Sequence, residues 1–387
     1  MPVKVKKRHL VDLHILLPYL TLCIIGLMMV YSSSSYDLLE VNQNPAKQAF
    51  LQLIFWLLSL VSMLVIYKVK TPILNQKKTS KIVFIVVSCL MFVVFVFPRV
   101  NGSFGWIQIP GVGTLQPAEF LKFAVIWYLA VIITERQKNV IDFEEHWLST
   151  IVNFLGISPL PILVLAAYPD FGNMAVIGLV VIVLLLVSGI NYLYTMVTAV
   201  GLFGLAVIAI GIIPTFGSKF LPAHVVERFK IFKNPFLDEY GSGHQAIHGY
   251  YAMFNGGLFG RGLGNSIQKK GFLSEAQTDY AFAIVVEELG MLMSLGILLL
   301  LLYMVGRIIL IGIRSTDTFN SIMCITIGGL FLISIFVNLG GVLGIIPLTG
   351  ITFPFISQGG SSLFMFSICV AFALNISADE KKKKLQL

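Results

Sequence analysis

Ten long apolar stretches with almost no charged residues run through this 387-residue chain. A helix needs about 20 apolar residues to cross the roughly 30 Å of hydrocarbon in a bilayer. Such a helix satisfies its own backbone hydrogen bonds, and none of the stretches alternates like a barrel strand. The pattern predicts an all-α polytopic membrane protein. The expected spans are 13–34, 48–67, 81–98, 118–134, 148–167, 172–189, 192–214, 280–304, 319–343 and 360–377.

The composition excludes a soluble globular protein. Apolar residues make up 57% of the chain and charged residues only 12%, whereas soluble domains carry about 25% charged residues. The formal net charge is +8. The basic residues gather in tails and short loops, as in membrane proteins, and they do not alternate with aromatic residues. We therefore expect no nucleic-acid partner.

The distribution of basic residues predicts the orientation of the bundle. The N-terminal tail, the 68–81 loop and the Lys381–Lys384 run are basic, and basic loops stay in the cytoplasm. We expect one integral membrane domain, 1–387, with both termini cytoplasmic and a basic tail over about 378–387. The long loop between the seventh and eighth spans, about 215–279, then lies outside.

The outside loop carries two groups of apolar residues at helical spacing. The first is Val225, Phe229 and Phe232, with Arg228 among the charged residues between them, and the second covers 247–254. This spacing predicts two short amphipathic helices on the outer membrane surface.

Two pairs of ionisable residues fall inside predicted spans, where an unpaired charge is costly. Glu119 and Lys122 are three residues apart and share one helix face. They form either a neutralised pair at the membrane boundary or a pair that lines a polar cavity. The adjacent Glu287 and Glu288 need a cation, a polar partner or a proton. They either lock neighbouring helices together or take part directly in chemistry.

Two aspartates precede predicted helices, Asp170 after Pro169 and Asp279 before the eighth span. Each could simply cap the helix that follows. Asp170 could instead face a cavity. Asp279 lies at the rim of the bundle, where water meets the apolar interior, and a carboxylate there can have a pKa suited to proton transfer.

Glycine- and serine-rich segments in the outer loops offer backbone N–H groups and hydroxyls that suit an anionic head group. Close helix packing at small residues is the alternative. Asn338 in the ninth span completes the set of polar candidates. The candidate anion-binding residues are Arg261, Lys269, Lys270, Ser357, Gln358, Ser361 and Ser362.

Together these motifs resemble the SEDS family of peptidoglycan polymerases, and the resemblance extends from the first span to the tenth. Ser274, Gln277 and Tyr280 stand where the family usually has Pro, His and Phe. Any mechanism that requires that His as a second acid or base is therefore in question. The matching segments are Asn101-Gly102, Trp106-Ile107, Gln116–Lys122, Pro169–Gly172, Gly256–Gly260, Gly262–Ser266, Glu275–Gly290 and Pro354–Ser362.

The resemblance implies ten spans and a glycosyltransferase that polymerises lipid II at the outer face of the cytoplasmic membrane. The family's catalytic aspartate corresponds to Asp279, and its cavity Glu and Lys correspond to Glu119 and Lys122. Asp170, Glu287, Glu288 and Asn338 are expected to support the site. No cofactor is firmly implied, although a divalent cation, Mg²⁺ or Mn²⁺, is a candidate.

The implied partners are a class B penicillin-binding transpeptidase and other divisome membrane proteins. The motifs around His248 and Gly264 resemble the division branch of the family, with the septum as the expected location. Three alternatives stay open: the elongation branch, a lipid II flippase and a scaffold that positions a transpeptidase. A flippase needs alternating access to both membrane faces rather than a base at the outer rim.

Overall fold

In the computed structural model, helices form almost all of the regular structure. Residues 7–98, 105–109, 113–137, 159–167, 170–189, 192–219, 223–241 and 243–386 are described. The helices are α1 (Leu13–Glu40), α2 (Lys47–Lys68), α3 (Thr71–Leu74), α4 (Lys77–Val93), α5 (Pro117–Gln137), α6 (Pro159–Ala167), α7 (Phe171–Val187), α8 (Tyr192–Phe216), α9 (Ala223–Lys233), α10 (His244–Gly256), α11 (Ala281–Ile313), α12 (Thr318–Val342) and α13 (Gly360–Gln386).

Each of the ten expected spans overlaps a described helix, and the predicted polytopic all-α fold is confirmed. The fifth span is described only through α6, because 148–158 lies outside the described residues. Shorter apolar helices cover α7 and Val207–Phe216 of α8. In the described parts of the chain, the helices long and apolar enough to cross a bilayer are α1, α2, α4 with its 3₁₀ extension, α5, α11, α12 and α13.

Several helices extend beyond the predicted spans. The first continues to Glu40, the eighth to Ile313 and the tenth to Gln386. The hydropathy pattern ends where charged residues begin, but a helix can continue past the hydrocarbon into water. A small antiparallel hairpin, β1 (Ile107–Ile109) with β2 (Gly113–Leu115), was not expected from the sequence.

The centre of the bundle is formed by α5 and α13, which are mostly buried within the protein, whereas α2 is mostly exposed. Helix α13 packs against α2, α11 packs against α12 and α1, and α7 packs against α12. Because lipid tails are apolar, exposed apolar side chains on the outer helices face a suitable solvent.

The basic segments meet at one end of the bundle. Lys7 Nζ donates a 3.1 Å hydrogen bond to the Val69 carbonyl, and Asp12 pairs with Arg307 and Lys381. At the other end, Gln358 contacts Gln48. This grouping agrees with the predicted orientation, and the cytoplasmic location of the basic end stays a prediction.

The expected continuous eighth span is wrong in one respect, because α11 is broken at Gly290. Gly290 has φ 83° and ψ 166°, which is not helical. The Arg261 and Gly262 N–H groups donate to the Glu287 and Glu288 carbonyls, both at 2.9 Å, and Met291 N–H donates to Gly257. The loop thus satisfies the backbone groups that the break exposes, as membrane-embedded backbone requires.

Candidate active site

Asp279 lies at the junction between the long loop and α11, at the end of the bundle opposite the basic tails. Helix α11 begins at Ala281, and its N-cap is Tyr280, which makes no side-chain cap. The capping alternative for Asp279 is therefore wrong. Among the described residues, no hydrogen bond engages its carboxylate. This half-buried group is therefore free to act on a bound molecule.

The surroundings of Asp279 adjust its protonation. Burial, followed by the negative charge of Glu275, raises the pKa of Asp279 to about 6, against the opposing effect of Arg228. A Cβ atom built at Gly350 would lie 3.5 Å from Asp279 Oδ2 and 3.8 Å from Arg228 Nη2. Asp279 and Arg228 therefore border the same space. The sequence placed Arg228 on an amphipathic helix of the outer loop, and α9 confirms that helix, but nothing in the pattern linked the arginine to Asp279.

The Asn338 side chain fixes the backbone at Asp279 through hydrogen bonds. Its Nδ2 donates to the Asp279 carbonyl at 2.9 Å and to the Ile351 carbonyl at 2.7 Å. The Gln358 N–H donates to the Gln277 carbonyl at 2.8 Å. The structure thus brings together three segments that the sequence identified separately.

Within the described residues, three buried carboxamide oxygens without a hydrogen-bond partner lie on these same segments. They belong to Gln277, Asn338 and Gln358. An unsatisfied buried acceptor costs about 1–3 kcal/mol, and sugar hydroxyls are donors that could satisfy it. Gln277, which stands where the family usually has His, therefore offers an acceptor but no titratable group.

The serines of the 357–362 segment form hydrogen bonds to other groups of the protein. Ser357 Oγ accepts from Phe353 N–H at 2.9 Å, and Ser361 Oγ accepts from Gln116 N–H at 3.0 Å. Ser362 exchanges a 2.8 Å hydrogen bond with Thr352. These bonds shape the turn before α13, so the binding of an anion there stays a prediction.

Glu119 and Lys122 form the expected pair inside the bundle. Lys122 Nζ lies 2.7 Å from Glu119 Oε1, and both residues are almost fully buried. The pair lies in the first two turns of α5, so a position near the membrane boundary and a position beside a cavity both stay open. The second carboxylate oxygen of Glu119 is buried and has no hydrogen-bond partner within the described residues.

Glu287 and Glu288 lock the loop to the helices. Glu288 accepts from Ser32 of α1 at 2.7 Å, from Lys269 Nζ at 2.7 Å and from the Gly264 N–H at 3.0 Å. Glu287 accepts from the Ser266 hydroxyl and from the Ile267 N–H. The locking alternative therefore explains both residues.

The structure divides the predicted basic set in two. Lys269 is buried and committed to Glu288 and Ser32, whereas Arg261 and Lys270 are exposed. Lys269 therefore stabilises the fold and is not free to bind a substrate.

Asp170 caps α7, as one of its two alternatives predicted. Its Oδ1 accepts from the Asn173 N–H at 3.0 Å, and its Oδ2 accepts from the Asn173 side chain at 2.8 Å. A longer contact of 3.4 Å from Gln116 Nε2 links this cap to the start of α5.

A cleft of about 740 Å³ lies between the start of α2 and the β1–β2 hairpin. Phe50, Ile54 and Ile109 give it an apolar lining, and Lys47 adds one positive charge. It connects to the turn before α13, because Ser361 Oγ contacts the Thr114 carbonyl at 3.5 Å. No sequence pattern indicated this cleft, since the hairpin was not expected.

Within the described ranges, no three His, Cys, Asp or Glu side chains gather as metal ligands. Binding of Mg²⁺ or Mn²⁺ stays a prediction, and no residue is assigned as a ligand.

Fold and site define a multi-pass protein of the cytoplasmic membrane with a half-buried carboxylate at the rim of its bundle. The chain belongs to the FtsW/RodA/SpoVE family of cell cycle proteins, whose model matches residues 13–382. This confirms the resemblance found in the motifs.

The relatives are similar over nearly their whole length. The probable peptidoglycan glycosyltransferase FtsW of Lactococcus lactis is 41% identical, with 99% of this chain and 96% of that protein covered. The protein of the same name from Bacillus subtilis is 35% identical, covering 96% and 93%. The match to proteins of Gram-positive bacteria agrees with the predicted division branch.

Solved structures share the fold. A chain from a study of polymerization and crosslinking by a peptidoglycan synthase complex superimposes with a TM-score of 0.72 at 22% identity, covering 96% of this chain and 98% of that one. Thermus thermophilus rod shape determining protein RodA gives a TM-score of 0.67 at 20% identity, covering 96% and 97%.

Proposed function

We propose that this protein is a peptidoglycan glycosyltransferase that polymerises lipid II into β-1,4-linked glycan strands during cell division. Its membership of the family and the names of its relatives support the activity. The observation that carries the mechanism is the Asp279 carboxylate, which makes no cap and lies near Gly350 together with Arg228.

Asp279 is the general base of this reaction. It takes the proton from the 4-hydroxyl of the acceptor GlcNAc while that oxygen attacks the anomeric carbon of the donor MurNAc. The bond from that carbon to the pyrophosphate oxygen breaks, and undecaprenyl pyrophosphate leaves. A single displacement inverts the anomeric centre, so an α-linked donor yields a β link. A positioned base contributes typically about 10²–10⁴-fold to such a step.

The raised pKa of Asp279 suits this task. With a pKa of about 6, the carboxylate is ionised at neutral pH and is a stronger base than an ordinary aspartate. Brønsted behaviour favours a base whose pKa lies near the working pH.

Positive charge for the leaving pyrophosphate comes from side chains of the outer loop. The charge of Arg228 acts on Asp279, and its planar guanidinium can bind two phosphate oxygens. Arg261 and Lys270 are exposed on the same loop. Because pyrophosphate is a good leaving group once its charge is stabilised, one base is enough. The replacement of the family's usual His by Gln277 is then tolerated.

Glu119 and Lys122 form a buried ion pair near the start of α5. The free Oε2 of Glu119 can accept a hydrogen bond from a sugar or peptide N–H or O–H group of lipid II. The apolar cleft near Phe50 is suited to an isoprenoid chain, because its lining is largely hydrocarbon.

Partners follow from the same assignment. We propose a class B penicillin-binding transpeptidase, which would crosslink the new strand, together with other divisome membrane proteins at the septum. The similarity to a chain studied within a peptidoglycan synthase complex supports a membrane partner of this kind.

Purified protein and labelled lipid II test the proposal. We expect a ladder of glycan polymers from lipid II presented in vesicles or detergent. Transfer of lipid II between leaflets, without polymer under any divalent-cation condition, would instead support the flippase and contradict the glycosyltransferase.

A further inference from the structure

A small cleft of about 80 Å³ lies between the ends of α11 and α13, at the end of the bundle where the basic tails meet. It is far from the site around Asp279, and the proposed reaction uses none of its residues. Basic side chains dominate its lining: Arg307, Arg314, Lys381 and Lys384, with Ser377 and Glu380 beside them.

Two of the four basic groups are neutralised by a buried aspartate. Asp12 Oδ2 lies 2.9 Å from Arg307 Nη2 and 3.1 Å from Lys381 Nζ, and it accepts a 2.9 Å hydrogen bond from Ser377. This cluster ties the start of α1 to α11 and α13. It therefore fixes the walls of the cleft.

Glu380, the carboxylate in the lining, has partners at one of its two oxygens. Its Oε1 accepts from Ser315 at 2.8 Å and from Asn320 at 2.7 Å, and Lys383 lies 3.4 Å away. The lining and Asp12 together thus hold four cations and two carboxylates, which leaves the cleft positively charged.

Arg314 and Lys384 are the remaining cations. Both are exposed, and within the described part of the chain neither side chain has a hydrogen bond or an ion pair. The two unpaired positive charges face one rigid cleft, which is an arrangement suited to an anion.

Apolar side chains accompany the two cations. Leu310 and Ile311 line the cleft, and Ile313 and Leu385, which directly neighbour Arg314 and Lys384 in sequence, are 66% and 58% exposed. Phospholipid phosphates lie at the depth where membrane-spanning helices end, and the acyl chains lie beside the helices. Unpaired cations next to exposed apolar side chains match this arrangement.

We propose that this cleft binds an anionic phosphate group, with a phospholipid head group as its source. The Arg314 guanidinium would bind two phosphate oxygens, Lys384 would supply a second positive charge, and the acyl chains would lie on Ile313 and Leu310. Such a lipid would join α11 to α13.

Native mass spectrometry and thermal unfolding of the full-length protein test the proposal, with phosphatidylglycerol, phosphatidylcholine and inorganic phosphate as probes. We expect the wild type to retain phosphatidylglycerol selectively and to gain thermal stability from it. In R314Q/K384Q, the apparent Kd for phosphatidylglycerol should rise about thirtyfold. Because both side chains are exposed, the variant should keep the wild-type Tm in phosphatidylcholine.

Two further variants serve as controls. R314K/K384R keeps both charges, so it should retain phosphatidylglycerol and provides a folded reference. K78Q/K81Q removes two exposed cations at the start of α4, which lies at the same end of the bundle, and should bind like the wild type. An equal loss in K78Q/K81Q would show diffuse attraction and overturn the site. Inorganic phosphate binding as tightly as phosphatidylglycerol would overturn the lipid source.

Discussion

Lys269 Nζ lies 2.7 Å from Glu288 Oε1, and both side chains are almost completely enclosed. Ser32 of α1 shares the contact, since its hydroxyl donates to Glu288 and accepts from Lys269. One ion pair thus joins the first helix, the outer loop and the broken helix α11.

Because of this ion pair, Lys269 and its neighbour Lys270 should contribute very differently to the stability of the protein. Lys269→Ala leaves Glu288 buried and unpaired, at a cost of about 3–5 kcal/mol. Lys270→Ala removes an exposed side chain and should leave stability within about 0.5 kcal/mol. Thermal unfolding of both purified variants checks this, and equal Tm values for the two would contradict the assignment of Lys269 to the structural network.

The Glu119–Lys122 pair should behave in the same way. Lys122→Ala leaves Glu119 unpaired in the interior, and we expect a loss on the order of 3–5 kcal/mol. The charge-swapped variant E119K/K122E keeps a pair, so it should unfold at a higher temperature than Lys122→Ala. If Lys122→Ala unfolds like the wild type, the pair does not matter for stability.

Gly290 should tolerate no side chain. Its φ of 83° disfavours other residues, and a Cβ atom there would overlap the Gly260 N and the Phe259 C. Gly290→Ala should therefore destabilise the protein by about 1–3 kcal/mol or more. Gly296→Ala on the same helix is the control, because its Cβ would meet nothing within 4 Å. Comparable Tm values for the two variants would mean that the break in α11 is wrong.

The pH dependence of polymerisation should report Asp279. Its carboxylate must be ionised to accept a proton, so kcat should fall as the pH drops below about 6. The charge of Glu275 raises this pKa and that of Arg228 lowers it. Glu275→Gln should therefore move the acidic limb to lower pH, and Arg228→Gln should move it to higher pH. Shifts in the same direction, or no shift in either variant, would contradict the assigned electrostatics.

Much of this architecture could be predicted from the sequence, because membrane spans are local. An uninterrupted apolar run predicts its own helix, and the spacing of Glu119 and Lys122 predicts their contact. The rim position of Asp279 followed from its place directly before a span.

The remaining features depend on tertiary contacts. The break at Gly290 depends on the 257–262 loop, which satisfies the exposed backbone groups. Hydropathy alone predicts one continuous helix through Gly290. Lys269 and Lys270 look alike in sequence, and only the fold buries one of them. Arg228 reaches Asp279 through the packing of the outer loop, which no local spacing encodes.

The most direct test of the account is lipid II polymerisation by purified Asp279→Asn, measured beside the wild type and Glu275→Gln. The substitution keeps the size of the side chain and removes the base. We expect the variant to fold with the wild-type Tm or above, since it removes a buried charge, and to lose polymerisation by about 10²-fold or more, while Glu275→Gln stays active at neutral pH. Near-normal polymer from Asp279→Asn would contradict the assignment of Asp279 as the general base.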